Sequence, residues 1–181
     1  MRLVPTASQT VGPYFFIGMG HLCTRSAPAP AKEVTVHGQV LDANRAPVPD
    51  AVLELWFADP SGQYASRADA SGRPCGFARI ATDAEGRFSF TTCMPGPVPF
   101  DCECMQAPHI GVLFFARGLL RHLLTRMYFP GERTNAADPL LQSLSEDRRA
   151  TLVARNTSAS GKNLEWNIVL QGENETVFFA W

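Results

Sequence analysis

Few side chains in this sequence stand where they could do chemistry. Cys102-x-Cys104 with His109 close behind offers two thiols and an imidazole, soft donors for a metal such as zinc. No fourth ligand follows at a workable spacing, so the group reads as loop thiols. Tyr64 ends Gly62-Gln63-Tyr64 in a turn-rich stretch and, by residue type alone, is a loop tyrosine. His109 opens an apolar run and reads as a hydrogen-bonded core histidine. Arg117 precedes Gly118 and reads as a turn arginine, and Arg133 as a solvated loop charge.

The elements that must position these residues are mainly strands. Val34 to Leu41 carries β-branched residues at alternate positions. Ala51 to Ala58 is nearly all apolar and reads as a strand buried on both faces. Gly76 to Thr82, a turn over Asp83-Ala84-Glu85-Gly86, and Arg87 to Thr92 read as a hairpin. Three prolines keep Met94 to Pro99 out of any central strand. His109 to Ala116 and Leu123 to Phe129 are strands joined by a turn at Arg117 to Leu120, and Trp166 to Leu170 is a last strand. Asp138 to Ala154 is the one helical stretch, with Ser143-Leu144-Ser145-Glu146 as a capping box. His37, Gly38 and Trp56 read as core. The expected fold is all-β, a β-sandwich of mainly antiparallel strands over residues 33–181, with one short helix. Residues 1–32 form an N-terminal arm, its Pro28–Pro30 end a linker without regular structure.

Composition narrows the partners. The chain has 181 residues, enough for one domain with an arm, and 45% of them are hydrophobic, enough for a substantial core. Lys+Arg 16 against Asp+Glu 17 leaves no basic excess to neutralise phosphates, which argues against nucleic acid. Charged residues are only 18%, which suggests that part of the surface is covered by partners. Both ends are aromatic: Tyr14-Phe15-Phe16 in the arm and Val177-Phe178-Phe179 in the tail read as local core or as interface. Five cysteines, an odd number, and no apolar run near the roughly 18 residues of a membrane span lead us to expect a cytoplasmic protein with reduced thiols.

The order of several blocks is distinctive. It runs Gly38-Gln39-Val40, Leu53-Glu54-Leu55-Trp56, Gly62-Gln63-Tyr64, Thr82-Asp83-Ala84-Glu85-Gly86, Pro95-Gly96-Pro97, Pro108-His109-Ile110 and Tyr128-Phe129. This resembles the intradiol ring-cleavage dioxygenases over nearly the whole chain. The arm Ser8-Gln9-Thr10-Val11-Gly12-Pro13-Tyr14, Phe115-Ala116-Arg117-Gly118 and Gln171 to Phe179 look like the alpha-type chains of members built from two kinds of subunit.

The resemblance implies a non-haem ferric iron held by two tyrosines and two histidines, the histidines two apart on one strand and so on one face. Tyr64 matches the first tyrosine and His109 the first histidine. Val98 stands where the second tyrosine belongs, Gly111 at the second histidine, and Gln106 at the family's catalytic arginine. Valine and glycine offer no donor atom, so Tyr64 and His109 are vestigial ligand positions and this chain holds no metal and no catalytic residue of its own. The resemblance further implies that Fe(III) is carried by a partner beta subunit. The reaction is then cleavage of protocatechuate by O2 to 3-carboxy-cis,cis-muconate. Thr10, Gly12 and Pro13 approach the partner's substrate pocket, and Arg117 reaches the substrate carboxylate, which its fork suits. Two other assignments stay open: a non-catalytic, transthyretin-like β-sandwich binding module, and a homo-oligomeric dioxygenase with a rebuilt metal set.

Overall fold

In this computed structural model, residues 6–23, 33–64, 76–101 and 104–180 are described. In chain order the elements are α1 (Gly12–Met19), β1 (Glu33–Leu41), β2 (Val52–Phe57), β3 (Phe77–Ala81), β4 (Arg87–Cys93), β5 (Val98–Pro99), β6 (Met105–Gln106), β7 (His109–Phe115) and β8 (Leu123–Tyr128). They continue with α2 (Pro139–Gln142), α3 (Glu146–Ala150), β9 (Arg155–Asn156), β10 (Asn163–Glu165) and β11 (Ile168–Val169). One sheet is built on β1. Strand β4 runs antiparallel to one side of it, while β10 and then β11 share the other side in parallel, with β9 outside β10. The other sheet is antiparallel, in the order β3-β2-β7-β8.

Period-two alternation explains the packing. Val34, Val36 and Val40 of β1 and Phe88 and Phe90 of β4 point inward against Leu53, Leu55, Ile110, Val112, Phe114 and Met127 of the facing sheet, all in one buried cluster. A second, smaller cluster lies outside β8: Tyr128, Leu141, Leu152, Val177 and Ala107. It forms because the 139–154 region and the tail fold over that face, with Phe179 bridging to Leu124 and Val153 to Tyr128. The aromatic tail is therefore local core through Val177 and Phe178. Trp181 lies outside the described residues.

Several expectations need correction. Strands β3 and β4 do not form a hairpin. The Asp83 turn exists, its Oδ1 accepting from Glu85 N and Arg87 N at 3.0 and 2.7 Å, but it carries the chain from one sheet to the other. Thr82 Oγ1 accepts from Ala51 N at 2.9 Å and Val40 N donates to Gly86 O at 2.9 Å, so each end of the turn is tied to a different sheet. The 138–154 stretch is two short helices. Ser143 ends α2 and Ser145 is extended at the start of α3, without a side-chain cap, so the capping box does not form. Arg149 stitches the break by donating to the carbonyls of Leu141 and Leu144 at 2.9 and 3.2 Å. The expectation of a single helix misses α1 as well, in the arm. Strand β2 is not buried on both faces: Trp56 is 43% exposed, and His37 is exposed too.

Gly38 is required by close approach. A Cβ there would overlap the Trp166 carbonyl oxygen and crowd the Phe88 ring. Gly38→Ala is therefore expected to destabilise the fold by about 1–3 kcal/mol. Urea unfolding measures it, and an unchanged midpoint would show that the β1–Trp166 crossing yields freely.

Candidate functional site

The residues singled out above gather at the two ends of β7. At its start lie the four ligand-matching positions. Tyr64 is placed by a turn on Asp59, whose Oδ1 accepts from Ser61 N, Ser61 Oγ and Gln63 N at 2.8, 2.7 and 3.0 Å. These bonds, the Ser61 hydroxyl first, hold the Asp59 carboxyl below its usual range. Asp59 O also accepts from Gly96 N at 2.8 Å, which joins the Tyr64 loop to the Pro95-Gly96-Pro97 segment ahead of Val98. Val98 pairs with Gln106 across β5–β6, and His109 and Gly111 follow on one face of β7.

A hydrogen-bond network ties this end together. Asp138 is fully buried. Its Oδ2 accepts from Ala107 N at 2.8 Å, and its Oδ1 accepts from Tyr128 Oη at 3.2 Å and from Leu140 N and Leu141 N at 3.0 Å each. The His109 ring meets the Ala107 carbonyl through Nδ1 at 2.8 Å and lies 5.5 Å from the Tyr128 ring. Arg126 Nη1 donates to Gln106 Oε1 at 2.6 Å and to Tyr128 Oη at 3.4 Å. Burial, with the Arg126 charge second, lowers His109 to about 4, so its imidazole is neutral. Burial likewise pushes the Tyr128 phenol up to about 12. Tyr64 is half exposed. Its phenol is raised by partial burial while Arg126 pulls it down.

These residues do not fit a ferric ion. Two of the four ligand-matching positions carry no donor, and the Arg126 guanidinium stands opposite Gly111 with its charge felt at Tyr64 and His109. Among the described residues no three or more His, Cys, Asp or Glu side chains lie together where they could hold a metal. Cys102 lies outside the described residues, so the Cys102-x-Cys104 motif is not described as a unit, and Cys104 is free and exposed.

At the other end of β7, the arm folds back. Gly118 N donates to Thr10 Oγ1 at 2.7 Å, and Phe15 of α1 stacks against Phe115 with ring centroids 5.2 Å apart. Gly12 has φ +65°, a left-handed conformation that suits glycine, and Pro13 occupies the first turn of α1. Thr10 is thereby brought to the Arg117–Gly118 turn, where Arg117 is exposed, with Gly12 two residues further along the arm. Strand β7 has seven residues, which puts this cluster roughly 20 Å from the relict ligand positions.

The fold and this layout now meet the comparisons. The family model described as "Dioxygenase" matches residues 19–172. This chain belongs to the intradiol dioxygenase family. It is 41% identical to the protocatechuate 3,4-dioxygenase alpha chain of Burkholderia cepacia, with 98% of each chain covered. It is 34% identical to the beta chain of the same enzyme and organism over 80% of this chain and 67% of that one. Among solved structures, the dioxygenase domain of a dioxygenase carbohydrate-binding protein fusion from Streptomyces sp. SirexAA-E superposes with a TM-score of 0.63 at 26% identity, covering 86% of this chain and 89% of that one. Its family places the chain among non-haem iron dioxygenases, while the ligand set within this chain is incomplete.

Sequence reasoning missed Arg126, Tyr128 and Asp138 as parts of this end of the molecule. The available signal was a charge two residues before Tyr128 in an otherwise apolar strand, hence on the same face. The depressed His109 has a pH consequence. A histidine whose folded value lies below its unfolded value of about 6.5 keeps its full stability above 6.5 and loses it as pH falls toward 4. From this group alone the protein is expected to be about 2 kcal/mol less stable at pH 5 than at pH 8. His109→Gln should flatten that dependence in urea unfolding at the two pH values. An unchanged slope would put the proton uptake elsewhere.

Proposed function

We propose that this chain is the iron-free alpha subunit of a hetero-oligomeric protocatechuate 3,4-dioxygenase, shaping an active site whose Fe(III) is carried by a partner beta subunit. The observation that carries this is the separation along β7. The arm and Arg117 cluster lies about a strand's length from the chain's own relict ligand positions, too far to serve them. A cluster of this kind, exposed and remote from any site in its own chain, suits a site on another chain.

In this reading Arg117 grips the carboxylate of protocatechuate. The guanidinium stays charged at any working pH and offers a two-pronged donor set. Thr10, Gly12 and Pro13 wall the pocket, and the Thr10–Gly118 bond holds arm and arginine turn as one unit. Arm residues 1–32 then work against the partner while the sandwich, 33–181, supplies the platform. The exposed apolar side chains Tyr14 and Ile17 on α1 and Leu120 beside the turn, 82%, 67% and 63% exposed, support burial of this face by the partner. The reaction is protocatechuate plus O2 to 3-carboxy-cis,cis-muconate, in a cytoplasmic assembly. Among the described residues no helix is long and apolar enough to cross a membrane.

The test is iron content and protocatechuate-dependent O2 uptake, measured on this chain alone and after co-expression with a beta-type chain. The lone chain is expected to be iron-free and inactive, and the complex to hold iron and turn over. Ring cleavage by the lone chain would overturn the assignment, and a folded but inactive, iron-free pair would favour a binding module. Within an active complex, Arg117→Ala is expected to raise KM roughly 10- to 150-fold, about 1.5–3 kcal/mol, with kcat little changed. Unaltered kinetics would remove Arg117 from the pocket.

A further inference from the structure

The relict ligand cluster contains a cation of its own. Strand register sets Arg126 directly opposite Gly111, and Tyr128 opposite His109, all on one face. On the neighbouring hairpin Val98 pairs with Gln106, whose Oε1 accepts a hydrogen bond from Arg126 Nη1 at 2.6 Å. The same Nη1 reaches Tyr128 Oη at 3.4 Å. Three of the four ligand-matching positions, 98, 109 and 111, are therefore one residue removed from an Arg126 contact. The fourth, Tyr64, and His109 both feel the Arg126 charge. Glycine at 111 leaves the space beside the guanidinium free of a side chain.

We propose that the Arg126 guanidinium is the resident cation of this cluster and that its fixed charge excludes a metal ion, independently of the donors lost at positions 98 and 111. Repulsion between like charges a few ångströms apart in a partly buried site is strong, and a guanidinium cannot escape it by losing its proton. Loss of metal binding in this chain is then doubly secured. Restoring a ligand does not restore a site while Arg126 stays. The inference rests on the family match and the register of β7 and β8. It does not depend on the proposed partner, so the co-expression result leaves it standing or falling by itself.

The full chain carrying G111H tests it. A Cβ at this position meets only the Trp56 carbonyl oxygen at 3.5 Å and the Trp56 Cβ at 3.9 Å, ordinary contacts, so the substitution is tolerated. The introduced imidazole stands two residues from His109 on the same face, with Tyr64 nearby as a third donor. Zn(II) is titrated calorimetrically into G111H, G111H/R126M and G111H/R126K, with circular dichroism confirming fold. We expect G111H and G111H/R126K to bind no better than the parent chain and G111H/R126M to bind one Zn(II) at least about 100-fold more tightly. R126Q replaces R126M if the loss of the Gln106 contact unfolds the chain. Equal binding in folded G111H and its charge-neutral partner variant, whether tight or absent, overturns the proposal.

Discussion

A carboxylate with no exposed surface must find donors for its oxygens, and Asp138 finds four within its own chain. Two are the first amides of α2, so the same group that caps a helix also holds the backbone ahead of β7 and the phenol at the end of β8. From there the constraint spreads. Ala107, fixed through its N–H, presents its carbonyl to His109, and Tyr128, fixed through its hydroxyl, receives Arg126. Tyr128 and Ala107 belong at once to this network and to the second hydrophobic cluster, which buries both. An unpaired member would carry the full cost of burial, which is why so few residues define the whole end of the sandwich.

That network holds the start of β7 in one arrangement. The Asp59 turn and the Gly96 segment are joined by a backbone bond and converge with the start of β7. What occupies the convergence is a neutral histidine, a half-exposed tyrosine, two side chains without donors and a guanidinium. The opposite end of β7 carries different requirements. There, among the described residues, the arm meets the sandwich through the Thr10 hydroxyl and the Phe15–Phe115 pair, with Tyr14, Ile17 and Leu120 left uncovered.

Much of this was legible from residue order. The β-sandwich followed from many short strands punctuated by Gly and Pro, with alternation clearest at 34–41 and 87–92 and the 123–129 strand read from the Pro-Gly stop that follows it. Residue type also carried the expectation that positions 98 and 111 hold no metal ligand, since valine and glycine lack donor atoms in any conformation. Pairing was not legible in the same way. The turn at Asp83 has hairpin chemistry and does form, but local chemistry says nothing of which strand the next segment will join. The 138–154 stretch has helical composition, yet the break at Ser143–Ser145 depends on Arg149 reaching two free carbonyls. Trp56 looked buried by type and stands half open because its face of β2 is the outer one.

The sequence by itself determined the fold class and the family, both of which depend on residue identity and short-range order. Only the tertiary structure decided that Thr10 and Gly118, 108 positions apart, meet, that they lie a strand's length from His109, and that Arg126 stands opposite Gly111. Those are distances between segments remote in the chain. They are set by strand register and by the closing of two sheets on a common core, and no local pattern of residues encodes them.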